Sequence, residues 1–237
     1  MVNLQYSENG LTTGHLSFHK SAVLEHLRAR PHIVSIVPIF AKDRHEVEEF
    51  IKNIYAVSYG ARIEVHYPIL MSVRDEAGKL LAATGFRPAG LEPLFLEQYL
   101  DVPVETLLNA PRAGIVEIGN LASDGGGASL YLFAALAAYL NHNGYTQAVV
   151  TGTNFLERRF KQMGLTPQRH TKADPSLLLK DGEDWGTYYE TQPHVLSGSI
   201  APGYQRLQKQ LGAEYQDYRP RLFPRLHFKT LESVNAV

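Results

Sequence analysis

One carboxylate stands inside an otherwise apolar run: Glu117, in Ile115-Val116-Glu117-Ile118-Gly119-Asn120-Leu121-Ala122-Ser123. Asp124 and three consecutive glycines follow, Gly125, Gly126 and Gly127, and then Ala128 and an Ala/Leu-rich stretch from Ser129 to Asn143. A charged group buried in a strand is costly unless it is paired or used. Three glycines make a tight loop whose backbone N–H groups can turn inward, and a helix starting behind them adds partial positive charge. The combination suits proton transfer on a substrate that carries a phosphate; glycines alone would equally make a surface turn.

These residues need a strand, a loop and a helix to hold them, and the surrounding pattern supplies all three. The β-branched run reads as a buried strand and the following stretch as a helix stopped by Asn143-Gly144. Upstream, His32 to Phe40 reads as a strand. Asp43 then caps a helix to about Ser58, with Val47, Phe50, Ile51, Ile54 and Tyr55 at helical spacing. Tyr67–Arg74 and Lys79–Phe86 form a strand pair around a turn ending in Gly78. Short helices are expected over 93–100 and 103–108. Downstream come a strand over Thr146–Thr151, a helix over Asn154–Met163, and extended segments over 170–179 and 185–192. The order argues for an α/β fold with a mixed sheet. Residues 1–32 read as a weakly patterned N-terminal arm with short helices around 21–30, and 33–198 as the domain. Residues 199–237 read as a helical C-terminal extension packed on it. There Tyr204, Leu207, Leu211, Tyr215 and Tyr218 share a face until Pro220 and Pro224 break the pattern.

The whole chain narrows the chemistry. Its 237 residues suit one sizeable domain, and a net charge of −1 gives no field favouring nucleic acid. With no cysteine there is no thiolate zinc site, disulfide or cysteine nucleophile, which fits a reducing, cytoplasmic setting. No secretory signal and no transmembrane run are expected. His15 and His19 have helical spacing but no third ligand in reach, so no metal is expected. Gly127-Ala128-Ser129-Leu130-Tyr131 lacks the closing glycine of a nucleophile elbow, and Gly-Gly-Gly is not a dinucleotide fingerprint.

The element order resembles the GNAT acyltransferases. In that fold the coenzyme A pyrophosphate sits on the loop after the fourth strand, and the pantetheine arm runs along that strand where it splays from the fifth. The matching parts are Ile115–Ser123, Asp124–Ala128 and Thr146–Thr151. The loop lacks the cation that usually opens it, so phosphate affinity would rest on backbone N–H groups. Asn154, Phe160 and Gly164-Leu165 resemble a helix pattern of many members. Four blocks in order look like the thermostable hemolysin family: Gly85-Phe86-Arg87-Pro88-Ala89, Pro93 to Leu100, Val116 to Ala122, and Trp185-Gly186-Thr187-Tyr188-Tyr189. The Val-Glu-Ile-Gly-Asn block is also similar to the fourth strand of acyl-homoserine-lactone synthases, without the Ser-Arg pair that follows there.

The resemblance implies a GNAT-like splayed sheet and an N-acyltransferase. It would move an acyl group, expected to be fatty, from acyl-CoA or an acyl-carrier-protein thioester to a small amine. The alternatives are a membrane-active lytic protein and a non-catalytic CoA binder. For the transferase, Glu117 is the candidate base, with Asn120, Glu97 and Tyr189 as further catalytic candidates. The backbone of Leu121, Ala122 and Ser123 would stabilise the oxyanion and thioester; Gly125, Gly126, Gly127, Ala128, Ser129 and Asn154 would hold the donor. Arg87, Gln98 and Tyr188 would contact the acceptor, and Tyr188 or Tyr189 would protonate the thiolate. In a regular strand Glu117 and Asn120 point to opposite faces. Sharing a site therefore requires a bulge at or within a residue or two of Gly119.

Overall fold

The computed structural model describes residues 2–20, 22–179 and 183–218. Ten strands form one sheet: β1 (Val2–Glu8), β2 (Leu11–Phe18), β3 (Pro31–Pro38), β4 (Ile69–Asp75), β5 (Leu80–Pro88), β6 (Ile115–Ser123), β7 (Gln147–Gly152), β8 (Gln168–Lys172), β9 (His194–Ser199) and β10 (Ala213–Asp217). Their order across the sheet is β10-β2-β1-β3-β4-β5-β6-β7-β9-β8. The helices are α1 (Ala22–Glu25), α2 (Arg44–Tyr59), α3 (Val104–Leu108), α4 (Ala128–His142), α5 (Asn154–Gln162) and α6 (Ile200–Leu211). The run β3 to β6 is antiparallel and β6 pairs in parallel with β7, so the sheet is mixed, as the sequence predicts.

Apolar spacing decides which face each helix covers. α4 is apolar nearly all round, and it packs with α6 on one face against Val34, Met71, Phe86 and Val116. α2 buries Val47, Ile51 and Tyr55 on the other face, against Tyr67, Ala83 and Ala122. A short 3₁₀ turn, Phe95–Tyr99, and α3 complete that second layer around Ile115 and Val149.

The N-terminal segment is not an arm. β1 pairs in parallel with β3 and antiparallel with β2, and Leu4, Tyr6, Leu16 and Phe18 are wholly buried. The Tyr6 hydroxyl donates to the Ala135 carbonyl of α4 at 2.7 Å. The clue was an alternation of period two in a segment whose intervening residues are polar. His15 therefore lies on a strand rather than a helix. His19 lies beyond that strand's end, 3.3 Å from Glu214.

The C-terminal helix forms with Tyr204, Leu207 and Leu211 buried as expected, but Gly212 ends it and Tyr215 belongs to β10, which pairs with β2. Pro220 and Pro224 lie outside the described residues. Residues 188–191 make a 3₁₀ turn rather than an extended segment, and β9, which pairs with β7, follows them.

Candidate active site between two splayed strands

The register of β6 sets the site. Gly119 pairs with Gly85 and Ala122 with Ala83, so Asn120 and Leu121 together oppose Thr84. This bulge puts Asn120 in the left-handed region at φ 48°, and the Thr84 hydroxyl donates to the Gly119 carbonyl at 2.8 Å. The alternation shifts as a result. Val116, Ile118 and Leu121 pack on the α4 face, whereas Glu117, Gly119 and Asn120 turn to the α2 face. The bulge falls within the predicted window, but Gly119 is not its left-handed residue. A Cβ at Gly119 would lie 2.0 Å from the Tyr67 hydroxyl, so its glycine is required by the Tyr67 ring lying against the strand.

β6 pairs with β7 only from Ile115 to Ile118, so residues 119–123 have no β7 partner. A cavity of about 50 Å³ opens beside that splay on the α2 face. Its walls are aromatic: Tyr55 from α2, Tyr67 just before β4, Phe95 and Tyr99 from the 3₁₀ turn 95–99, and Trp185, Tyr188 and Tyr189 at the 3₁₀ turn 188–191 before β9. Asn120 hydrogen-bonds Tyr55, Tyr188 donates to the Thr151 carbonyl at 3.2 Å, and the hydroxyls of Tyr99 and Tyr189 are 2.6 Å apart. Burial pushes the hydroxyls of Tyr55, Tyr67, Tyr99 and Tyr188 well above the ordinary phenol range, so they remain protonated donors.

Glu117 is 1% exposed, and its carboxylate accepts from the backbone N–H groups of Phe95 (2.9 Å) and Leu96 (2.8 Å). It therefore also anchors the turn that carries Phe95 and Tyr99. Burial raises its pKa to about 7 against the pull of those two hydrogen bonds. Arg87 reaches over the Tyr67 ring, 5.2 Å from its centre, and donates to the His66 carbonyl at 2.8 Å.

On the opposite face, between α4, α5 and α6, lies a larger pocket of about 510 Å³, walled by Phe133, Leu136, Phe160, Leu196 and Leu207. Ile118, the last residue of β6 paired with β7, lines both spaces.

The glycine loop has a packing role beside any ligand role. The Gly126 carbonyl accepts from the N–H groups of Arg28 and Ala29 at 3.0 Å each, and a Cβ on Gly127 would strike Leu27 at 2.5 Å. Gly125 is open, with φ 87°. Cations that the loop lacks stand nearby: Lys79 pairs with Asp124 at 2.6 Å, and Arg28 flanks Gly126. Ser123 accepts from the Gly125 N–H at 3.3 Å, Ser129 lies in the first turn of α4, and Leu121 and Ala122 are core residues of β6.

Three predicted site residues lie elsewhere. Glu97 is bound by Arg112 at 2.7 Å and by the N–H groups of Leu94 and Val104, and the Arg112 hydrogen bonds lower its pKa to about 2. It is a fixed anion outside the cavity wall. Gln98 bridges the Phe95 carbonyl and the Leu179 N–H. Asn154 accepts from Arg169 at 3.0 Å at the start of α5. The sequence reading missed Tyr55, Tyr67, Tyr99, Thr151 and Trp185. Tyr99 and Trp185 did stand within the two family blocks Pro93 to Leu100 and Trp185 to Tyr189, but nothing in the sequence pointed to Tyr55, Tyr67 or Thr151 as cavity residues.

The sequence profile described as thermostable hemolysin matches residues 39–204. The chain belongs to the thermostable hemolysin family. Among curated proteins none matches the chain. Solved structures share its fold at low identity. MesI, a CoA-dependent acyl-homoserine lactone synthase, is 16% identical with a TM-score of 0.50, covering 76% of this chain and 95% of its own. BjaI, a CoA-dependent acyl-homoserine lactone synthase solved with SAM and isopentyl-CoA, is 12% identical with a TM-score of 0.53, covering 76% and 89%. FeeM, an N-acyl amino acid synthase from uncultured soil microbes, is 12% identical with a TM-score of 0.50, covering 74% and 95%. The fold of this thermostable hemolysin family member is thus the GNAT-like acyltransferase fold. None of its described helices is long and apolar enough to cross a membrane.

Proposed function

We propose that the chain is an N-acyltransferase that moves a fatty acyl group from a phosphopantetheine thioester, on coenzyme A or on acyl carrier protein, to a small amine. One observation carries this reading. An aromatic, hydrogen-bonding cavity on one face of the sheet and an apolar pocket on the other share Ile118 as a wall residue, at the point where β6 parts from β7. An amide-forming site needs both compartments, with the reacting carbon at their junction. The acyl chain occupies the space between α4 and α6, the thioester lies along residues 119–123, and the amine enters from the Tyr/Trp side.

The chemistry follows. The ammonium gives one proton to Glu117 through water, because the carboxylate lies behind the Phe95–Leu96 backbone rather than in the cavity wall. Its pKa near 7 matches that task. The amine nitrogen forms a bond to the thioester carbon, and backbone N–H groups from Leu121 to Ser123 stabilise the oxyanion. The carbon–sulfur bond breaks, the thiolate takes a proton from a phenol, with Tyr189 the candidate, and the nitrogen's second proton restores that phenol. Arg87, Asn120 and Tyr188 shape the acceptor cavity, and the Gly125–Ser129 loop faces the donor phosphates.

Thiol release from octanoyl-CoA or octanoyl carrier protein, followed over a panel of amines, tests this. Amine-dependent release with the matching amide found by mass spectrometry is expected. Absence of release from both donors, together with dye leakage from lipid vesicles by the protein alone, would replace the enzyme with the lytic alternative.

A further inference from the structure

Glycine carries a cost inside a strand or a helix, so each one there asks for a reason. Among the described glycines, ten take a positive φ. Six more are required by close packing, because a Cβ on Gly14, Gly85, Gly90, Gly114, Gly119 or Gly152 would lie within 3.3 Å of a neighbour. Two have neither reason. Gly198 lies inside β9, and a Cβ there would meet nothing within 4 Å. Gly203 lies near the start of α6, where a Cβ would touch only Leu165 at 3.4 Å, an ordinary contact. Both line the apolar pocket of about 510 Å³, one from the sheet and one from the helix that covers it. The register gives Gly198 its depth. Val116 pairs with Ala148 and Ala148 with Gly198, so all three stand at one level. The thioester lies beside Leu121 in the acyltransferase reading. From there to the level of Val116 the strand advances about four steps, since Asn120 and Leu121 share one, and that distance of ~13 Å is the reach of an extended chain of about ten carbons.

We infer that the donor's acyl chain is a long one, of more than about ten carbons, and that Gly198 and Gly203 set its length. The distal methylenes run where the two missing side chains would stand, between β9 and α6. Each methylene that passes Gly198 leaves water for this apolar space, so affinity grows with chain length until the pocket is full. A short chain ends before Gly198 and leaves the space beyond it empty. The place where the chain enters rests on the acyltransferase reading, but its binding does not require turnover.

Isothermal titration with saturated 8-, 12- and 16-carbon acyl-CoA, and with the same acyl groups on acyl carrier protein, tests this in the absence of amine. Wild type, Gly198→Leu and Gly203→Leu are compared. On whichever donor binds, wild type should hold the 16-carbon chain at least tenfold more tightly than the 8-carbon chain. Gly198→Leu should lose tenfold or more for 16 carbons and stay within about twofold for 8, and Gly203→Leu should show the same selective loss. Without ligand, Gly198→Leu should melt at or above the wild-type temperature, because its new side chain enters open space at an ordinary φ. Affinity independent of chain length, or a Gly198→Leu protein that keeps full 16-carbon affinity, would overturn the inference. So would a Gly198→Leu protein that melts well below wild type, since the space would then not be open. If length selectivity is as expected but no amine releases thiol from either donor, the acyltransferase reading fails and the long-chain pocket stands. If amine-dependent release is equally fast from 8- and 16-carbon donors in all three proteins, the pocket inference fails and the acyltransferase stands. Binding of neither donor would sink both.

Discussion

At the residue scale the candidate base is Glu117, whose two oxygens already hold the turn at Phe95 and Leu96. Glu117→Gln keeps the size, and turnover should fall ~100-fold or more with donor binding retained. As a base, Glu117 acts only when ionised, so wild-type kcat/KM should climb with pH and level off above about 7, a limb absent from the variant. Stability runs the opposite way. Burial raises the folded pKa above its usual 4.5, so the fold favours the protonated acid. That contribution is complete below pH ~4.5 and is lost as pH rises through about 7. The melting-temperature difference between wild type and Glu117→Gln, followed from pH 4 to 8, should therefore shift in the variant's favour as pH rises. A difference flat with pH would mean that Glu117 does not titrate there. That Glu117 is buried and held by hydrogen bonds was legible in the sequence, because one carboxylate in an apolar strand has few other ways to be tolerated. The ion pair that holds Glu97 was not legible, because its partner Arg112 lies fifteen residues away and comes near only through the fold.

At the element scale the bulge in β6 brings Glu117 and Asn120 to one face, and it is the part of the site that strand periodicity anticipated best. The reason for Gly119 was not legible, because the Tyr67 ring approaches from a distant segment. Gly119→Ala should cost about 1–3 kcal/mol by overpacking. Most of that cost should vanish in a Tyr67→Ala background when the double-mutant cycle is measured by denaturant unfolding. Full additivity would mean that the two residues do not touch. The glycine loop shows the same limit. Three glycines in sequence suggested a ligand, yet Gly126 and Gly127 also yield to Leu27, Arg28 and Ala29. Substitution at Gly126 would disturb the N-terminal segment, so loss of donor binding there would not single out a phosphate contact.

At the scale of the whole molecule, the central α/β order was readable from alternating strand and helix signals, while both ends of the sheet were not. β1 and β2 carry short alternations among polar residues, and β10 is five residues long. Deleting residues 2–18 should leave no cooperative thermal transition, because Leu4, Tyr6, Leu16 and Phe18 belong to the α4 core. A truncated protein that still melts sharply would restore the view of a dispensable arm. Ending the chain after Gly212 should lower the melting temperature more mildly, through loss of β10 and of the 2.8 Å His142–Asp217 pair. The pairing of β10 with β2 also has a consequence in time. His19 and Glu214 touch across 195 residues of chain. On the ribosome, the hairpin made first would present a bare edge until nearly the last described residues emerge. Closing it is a long-range step of the kind that slows folding. Until β10 pairs with it, that edge is open to pairing with a wrong neighbour.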